Sequence, residues 1–128
     1  MALTYPPELH YTATHEYVAL TDDGAVVGIT AFAVEELGDI TYVELPQVGR
    51  RFNRGERLGT IESVKAVADV YAPVSGVVTA VHEALVDAPE RIAGDPYGEG
   101  WLVKMQLTQP EELQELLTAA AYQAQVGG

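Results

Sequence analysis

Short β-prone runs separated by glycine and proline limit most strongly what this chain can fold into. The sequence contains 12 glycines and 7 prolines, which are the residues that most often mark turns. Runs rich in valine, isoleucine, threonine or tyrosine lie between them and predict strands. These runs cover residues 12–18, 25–29, 40–45, 58–61, 67–72, 77–81 and 101–107. Many short strands with frequent turns favour a sandwich or barrel, and the length suits one domain over 1–128.

Two segments depart from the strand-like pattern. Residues Ala31–Leu37 can form a short internal helix, and Gly38 is a suitable end for it. In the tail, leucines and alanines recur at helical spacing, which predicts a C-terminal helix over 109–125 packed on the domain. Thr108 is the expected N-cap of that helix. The stretch 83–100 is rich in glycine, proline and acidic residues, so we expect it to be irregular.

The charge balance excludes several classes of partner. Seven basic and 19 acidic side chains give a net charge of -12. Such a surface repels the phosphates of nucleic acids and of anionic membranes. It favours either simple solubility as a monomer or docking to partners with basic patches. We therefore expect a monomer that binds no nucleic acid and no membrane.

Cysteine usage and the amino terminus bear on compartment and chemistry. The chain has no cysteine, so any sulfur chemistry must arrive on a cofactor. The first basic residue is Arg50, whereas secretory signals and mitochondrial transit peptides need basic residues near the start. We expect a bacterial cytoplasmic protein, or one of the mitochondrial matrix if the chain is a processed form.

The two lysines, Lys65 and Lys104, are the most informative candidates for chemistry. A lysine amine on its flexible stem can accept an acyl cofactor as an amide. Lys65 lies between the runs 58–61 and 67–72, where the alternation breaks, and this break suggests a hairpin tip. The segment lacks the residues that ordinary turns require, so propensity alone predicts one long strand. On the residues alone, a plain solvent-facing lysine remains the alternative.

The segment Glu62-Ser63-Val64-Lys65-Ala66 resembles the lipoylation motif of glycine cleavage system H-proteins. Further segments that resemble this family follow one another in the family's order. They are His15-Glu16-Tyr17, Val27-Gly28-Ile29-Thr30, Leu37-Gly38-Asp39-Ile40, Glu44-Leu45-Pro46, Pro73-Val74-Ser75-Gly76 and Asp95-Pro96-Tyr97-Gly98-Glu99-Gly100-Trp101. The resemblance extends from about Leu9 to the terminal helix.

The resemblance implies an all-β fold of the barrel-sandwich hybrid type that lipoyl and biotinyl carriers share. It implies that Lys65 carries lipoate in amide linkage, and that Glu62 and Gly76 help the lipoate-attaching enzymes to recognise the site. Biotin carriers have methionine on both sides of their lysine, which this chain lacks. By the same resemblance, Glu16 shelters the loaded arm, and Asp69, four residues beyond Lys65, is a second candidate for this role. The alternative is that both are solvated acids.

The function implied is that of a carrier without catalytic residues of its own. Its arm takes an aminomethyl group from the glycine decarboxylase (P-protein) and passes it to the aminomethyltransferase (T-protein). Dihydrolipoyl dehydrogenase (L-protein) then reoxidises the arm. One alternative is a relay that donates lipoyl groups to other lipoyl domains, and another is an unmodified scaffold. The three histidines share no metal-ligand spacing, so we expect no metal.

Overall fold

Nine strands form the framework of the computed structural model, which describes residues 3–22 and 24–127. In chain order they are β1 (His10–Tyr11), β2 (Glu16–Thr21), β3 (Gly24–Ile29), β4 (Ile40–Glu44), β5 (Arg51–Phe52), β6 (Arg57–Ser63), β7 (Val67–Tyr71), β8 (Gly76–Val81) and β9 (Val103–Leu107). The positions of the expected domain 1–128 that lie outside the described residues are Met1, Ala2, Asp23 and Gly128.

The strands form two antiparallel sheets that share one large hydrophobic cluster, and three buried tyrosines, Tyr11, Tyr17 and Tyr122, form a second cluster. Six strands pair in the order β1-β2-β3-β9-β8-β5, and the other three pair as β4-β6-β7. Val27 of the first sheet and Ile61 of the second are both buried and belong to the same hydrophobic cluster. Because alternate side chains of each strand face this cluster, the period-two runs of the sequence become the two inner faces. The predicted all-β class is confirmed.

The predicted internal helix is also confirmed. Helix α1 spans Ala31–Leu37, and the Thr30 side chain caps it by accepting a hydrogen bond from the Ala33 N–H. It ends at Gly38, whose φ of 77° lies in the left-handed region that favours glycine. The loop that follows α1 leads directly into β4.

The expectation of an irregular stretch over 83–100 is wrong in part. Two short helices form there, α2 (Ala84–Asp87) and α3 (Arg91–Gly94). Each contributes one fully buried side chain, Leu85 and Ile92, to the core. Burial of these side chains stabilises helical turns that the local composition does not favour.

The strand predicted over 12–18 begins later than expected. Residues 12–15 form a turn, and β2 starts at Glu16. The Thr12 hydroxyl accepts a hydrogen bond from the Glu16 N–H at 3.0 Å, and His15 has a φ of 75°. The polar side chain of a threonine thus competes with the strand ladder for the backbone.

The single helix predicted over 109–125 is wrong. A 3₁₀ helix spans Pro110–Glu115, the chain then becomes extended, and helix α4 spans Ala119–Val126. Leu117 breaks the helical course because its N–H donates to the Tyr11 carbonyl at 2.7 Å and its carbonyl accepts from the Tyr11 N–H at 2.9 Å. A tertiary backbone pairing therefore overrides a helical pattern.

Because the tail is interrupted at Leu117, the N-cap of the last helix is Thr118 and not the predicted Thr108. The Thr118 side chain accepts a hydrogen bond from the Ala121 N–H at 3.1 Å, whereas Thr108 precedes the 3₁₀ helix. We expect Thr118→Ala to lower the free energy of unfolding by about 1 kcal/mol, as loss of an N-cap does. Urea unfolding measures this, with Thr108→Ala as the control. An equal loss in Thr108→Ala would contradict the assignment of the cap.

Within the described residues, no helix is long and apolar enough to cross a membrane.

Candidate functional site

Lys65 lies at the tip of the hairpin that joins β6 to β7. The two strands pair from Glu62 opposite Val67 to Gly59 opposite Val70, and a β-bulge then shifts the register so that Arg57 lies opposite Tyr71. Two exposed residues, Val64 and Lys65, make the turn between Ser63 and Ala66. The predicted reversal of the chain at Lys65 is confirmed.

The Ser63 side chain explains how this hairpin turns without glycine or proline. Its hydroxyl oxygen accepts hydrogen bonds from the N–H groups of Ala66 at 3.1 Å and Lys65 at 3.3 Å. The Ser63 N–H donates to the Ala66 carbonyl at 2.8 Å. A serine can stabilise a turn in this way through its own backbone neighbourhood. The turn-forming role of Ser63 was not predicted, and its only signal in the sequence is its position two residues before Lys65.

The loop after α1 supports the hairpin tip from the side. The Val64 N–H donates to the Asp39 carbonyl at 3.0 Å. A Cβ on Gly38 would lie 3.5 Å from the Lys65 Cε, so the lysine stem runs across this glycine. The tip is thus fixed at its backbone, while the Lys65 side chain remains exposed. A rigid base under a free, flexible amine suits a group that other enzymes must reach.

A mainly apolar cleft of about 190 Å³ runs beside the hairpin. Its lining comes from the turn before β2, from α1 and from both strands of the hairpin. The lining residues are Thr14, His15, Glu16, Ile29, Ala33, Glu36, Leu37, Ile61, Ala66, Ala68, Asp69 and Val70. The cleft therefore begins next to Lys65, at Ala66, and continues along β7.

The cleft follows the free edge of β7, which is the outer strand of its sheet. Ser63 and Ala66 form a hydrogen-bonded pair, so by alternation the next outward-facing backbone groups belong to Val67 and Asp69. The same alternation turns the Tyr71 N–H outward, where it donates to a Glu16 carboxylate oxygen at 3.2 Å. This edge can offer backbone donors and acceptors to a polar group in the cleft.

Glu16 is the buried acid of the site, with 1% of its surface exposed. One carboxylate oxygen accepts from the Thr12 hydroxyl at 2.6 Å and from the Thr14 hydroxyl at 2.5 Å. Burial raises the pKa of Glu16 above its ordinary value of 4.5, and these hydrogen bonds, with that from Tyr71, act in the opposite direction. A buried carboxylate beside an apolar cleft is a strong acceptor for a cationic group.

The acids and the glycine predicted from the sequence take different positions. Asp69 lines the cleft, is half exposed, and lies 3.8 Å from the Arg57 guanidinium. Glu62 is half-buried on β6, just before the turn. Gly76 lies buried on β8 in the other sheet. The fold thus brings Glu16 and Asp69 to one cleft beside Lys65. Glu62 lies within the hairpin itself, whereas Gly76 lies away from the hairpin in the other sheet.

Tyr122 of α4, which none of the sequence motifs includes, contacts His15 in the lining of the cleft. Its hydroxyl lies 2.7 Å from His15 Nδ1 and 2.8 Å from the Thr30 hydroxyl. Burial lowers the pKa of His15, which favours the neutral ring. The fully buried Tyr122 ring therefore ties the last helix to the turn that forms one wall of the cleft. No group of three or more potential ligands for a metal ion is assembled in the described part of the chain.

The raised pKa of Glu16 predicts a particular pH dependence of stability. Because the pKa of Glu16 is raised in the folded state, the stabilisation that this group contributes to the fold is fully present below its ordinary pKa of 4.5. It is lost as the pH rises through the folded-state pKa. The Glu16→Gln variant should not lose stability in this way. The difference in the free energy of unfolding, native chain minus Glu16→Gln, should therefore fall as the pH rises over that range. Urea titrations at a series of pH values measure it.

An exposed acid provides the control for this experiment. Glu111→Gln removes a carboxylate from the surface of the 3₁₀ helix, so it shows the effect on stability of losing one exposed negative charge. A Glu16→Gln variant whose stability followed that of the native chain at every pH would contradict the assigned shift.

Comparisons with known proteins give a consistent result. The family model described as glycine cleavage H-protein matches residues 9–127. Glycine cleavage system H proteins of Synechococcus sp. (strain JA-3-3Ab) and Thermosynechococcus vestitus are 57% and 59% identical, covering 100% of this chain and 99% of theirs. A crystal structure of a glycine cleavage system H protein from Mycobacterium marinum superimposes with a TM-score of 0.89 at 47% identity, over 97% of this chain and 100% of that one. This likeness confirms the predicted fold type.

Proposed function

Since the chain belongs to the glycine cleavage H-protein family, we propose that it carries a lipoyl group on Lys65 and serves the glycine cleavage system. The arm would visit the glycine decarboxylase, the aminomethyltransferase and dihydrolipoyl dehydrogenase in turn. The exposed lysine at a rigid hairpin tip, beside a cleft with a buried acid, is the observation that carries this proposal.

The residues present suit a lipoyl group on two counts. Lys65 is exposed, its N–H donates to the Ser63 hydroxyl and the neighbouring Val64 N–H donates to the Asp39 carbonyl, so an attaching enzyme meets one defined amine. The apolar lining of the cleft suits an aliphatic arm. When bound, the lipoyl group supplies a disulfide that accepts the aminomethyl group and is afterwards recovered from the dithiol.

The chain itself would bind and shelter the arm rather than catalyse a step. Glu16 would accept hydrogen bonds from a cationic group carried into the cleft, where the apolar walls exclude water. Asp69, at the more exposed part of the cleft, would add a second negative charge. A tethered group reaches each partner at high effective concentration, so transient docking suffices. The cyanobacterial relatives support a carrier of the bacterial cytoplasm.

Intact mass measurement followed by peptide mapping of protein from its native host tests the proposal. A lipoyl-sized increase on the peptide that contains Lys65 is expected, with none on the peptide that contains Lys104. A bare Lys65, in cells whose other lipoyl proteins are modified, would overturn it. Transfer from the loaded chain to an apo lipoyl domain would instead support the relay function.

A further inference from the structure

The basic side chains of this acidic protein are concentrated in one segment. Four of its seven lysines and arginines lie within residues 50–57, as Arg50, Arg51, Arg54 and Arg57. All four are exposed. The segment also contains Glu56, and Arg54 pairs with Glu115 at 2.8 Å. The positive surface is therefore formed mainly by Arg50, Arg51 and Arg57, and in a protein with a net charge of -12 such a surface favours an anionic partner.

Two of these arginines face a common depression of about 420 Å³ between the end of β4 and the start of β6. The Arg50 guanidinium carbon lies 5.2 Å from the centre of the Phe52 ring, and Arg57 Nη1 donates to the Thr60 hydroxyl at 3.0 Å. Neither contact neutralises the charge. The Asp69 carboxylate lies 3.8 Å from Arg57 with both side chains about half exposed, which makes a weak pair.

The surroundings of the depression favour protein carboxylates over a free phosphate. A phosphate site usually supplies several backbone N–H groups. Here the N–H of Gly49 already donates to the Val78 carbonyl and that of Arg50 to the Gln47 carbonyl. Val48, in the same turn, is 59% exposed, and an apolar side chain beside arginines is typical of protein interfaces.

We propose that Arg50, Arg57 and Val48 form a docking patch for a partner-protein segment that combines carboxylate and apolar side chains. The patch lies at the start of β6, and Lys65 follows the end of that strand, about 20 Å away for a strand of this length. A partner held at the patch leaves the hairpin tip free. The patch therefore holds the carrier on one protein while Lys65 is presented to another, and it does so whether or not Lys65 is modified.

Titration of the ¹⁵N-labelled full chain with a short synthetic peptide, in which glutamates flank a leucine, tests this docking patch. We expect saturable shifts of the amide signals of residues 47–52 and 57–59. Arg50→Gln should lower the affinity for the peptide about fivefold, which is the effect of losing one exposed charged contact. The spectra also show whether the variant keeps its fold.

Arg91→Gln is the matched control, because it removes an exposed arginine from α3 and changes the net charge by the same amount. It should leave the peptide affinity unchanged. An equal loss of peptide affinity in Arg91→Gln would show that only the net charge matters, and it would overturn the proposal. Absence of saturable shifts would overturn it too, as would inorganic phosphate that binds these amides as tightly as the peptide at equal ionic strength.

Discussion

Lys65→Arg should lose lipoylation and carrier activity completely. The guanidinium stays protonated at any physiological pH and is not an acyl acceptor, so a positive charge at the tip cannot replace the amine. The variant should keep its stability within about 0.5 kcal/mol, since the Lys65 side chain is exposed and its turn is held through backbone groups and Ser63. Intact mass after incubation with a lipoate-attaching enzyme, and the glycine cleavage rate with the three partner enzymes, measure the two effects.

Lys104→Arg is the control that the chain itself offers. Lys104 lies on β9 with its amine 5.0 Å from the centre of the Trp101 ring, and arginine can keep that cation–π contact. This variant should be lipoylated at the native rate. Carrier activity that survived Lys65→Arg, or that disappeared in Lys104→Arg, would place the acyl group elsewhere.

Gly76→Ala should destabilise the protein by about 3 kcal/mol, at the upper end of the cost of overpacking. A Cβ at this position would lie 2.4 Å from the Gln106 carbonyl oxygen, and Gly76 is paired with Phe52 on one side and Leu107 on the other. The strands β8 and β9 would have to separate. Urea unfolding gives the change in free energy.

Gly94→Ala is the matched control, because a Cβ there meets no atom within 4 Å. It should change the free energy of unfolding by less than about 1 kcal/mol.

The Gly76→Ala variant also tests how Gly76 influences lipoylation of Lys65. We expect the folded fraction of Gly76→Ala to be lipoylated normally, because the residue is buried in the sheet that does not contain Lys65. A stable Gly76→Ala variant with slow lipoylation would instead favour direct recognition of this position.

The hairpin shows where local rules are insufficient. Alternation along 58–61 and 67–72 predicts two strands, and the structure contains both. Turn propensity gave no reason for them to reverse at Lys65, because the stabilising group is the Ser63 hydroxyl. The resemblance to a family supplied what residue preferences lacked. The hydrogen bond from Val64 to Asp39, which fixes the tip from outside the hairpin, has no local signal.

The tail shows the opposite case, in which a clear local pattern gave a wrong structure. Leucines and alanines at helical spacing predicted one helix over 109–125, but Leu117 pairs with Tyr11 and interrupts it. A helix of this size gains little from propensity alone. Two backbone hydrogen bonds to a distant strand are therefore enough to divide it.

The cleft depended on tertiary structure most of all. Glu16, Asp69 and Tyr122 are far apart along the chain. The resemblance indicated Glu16, the spacing to Lys65 indicated Asp69, and nothing in the sequence indicated Tyr122. The hydrogen bonds of Glu16 to Thr12 and Thr14 are local to one turn. Its bond from the Tyr71 N–H arises only when the first sheet packs against the edge of β7. Strand positions, the all-β class and the candidate lysine follow from residue periodicity and short motifs, which are properties of neighbouring residues. The shape and polarity of the cleft come from contacts between distant residues, and only the folded chain makes those contacts.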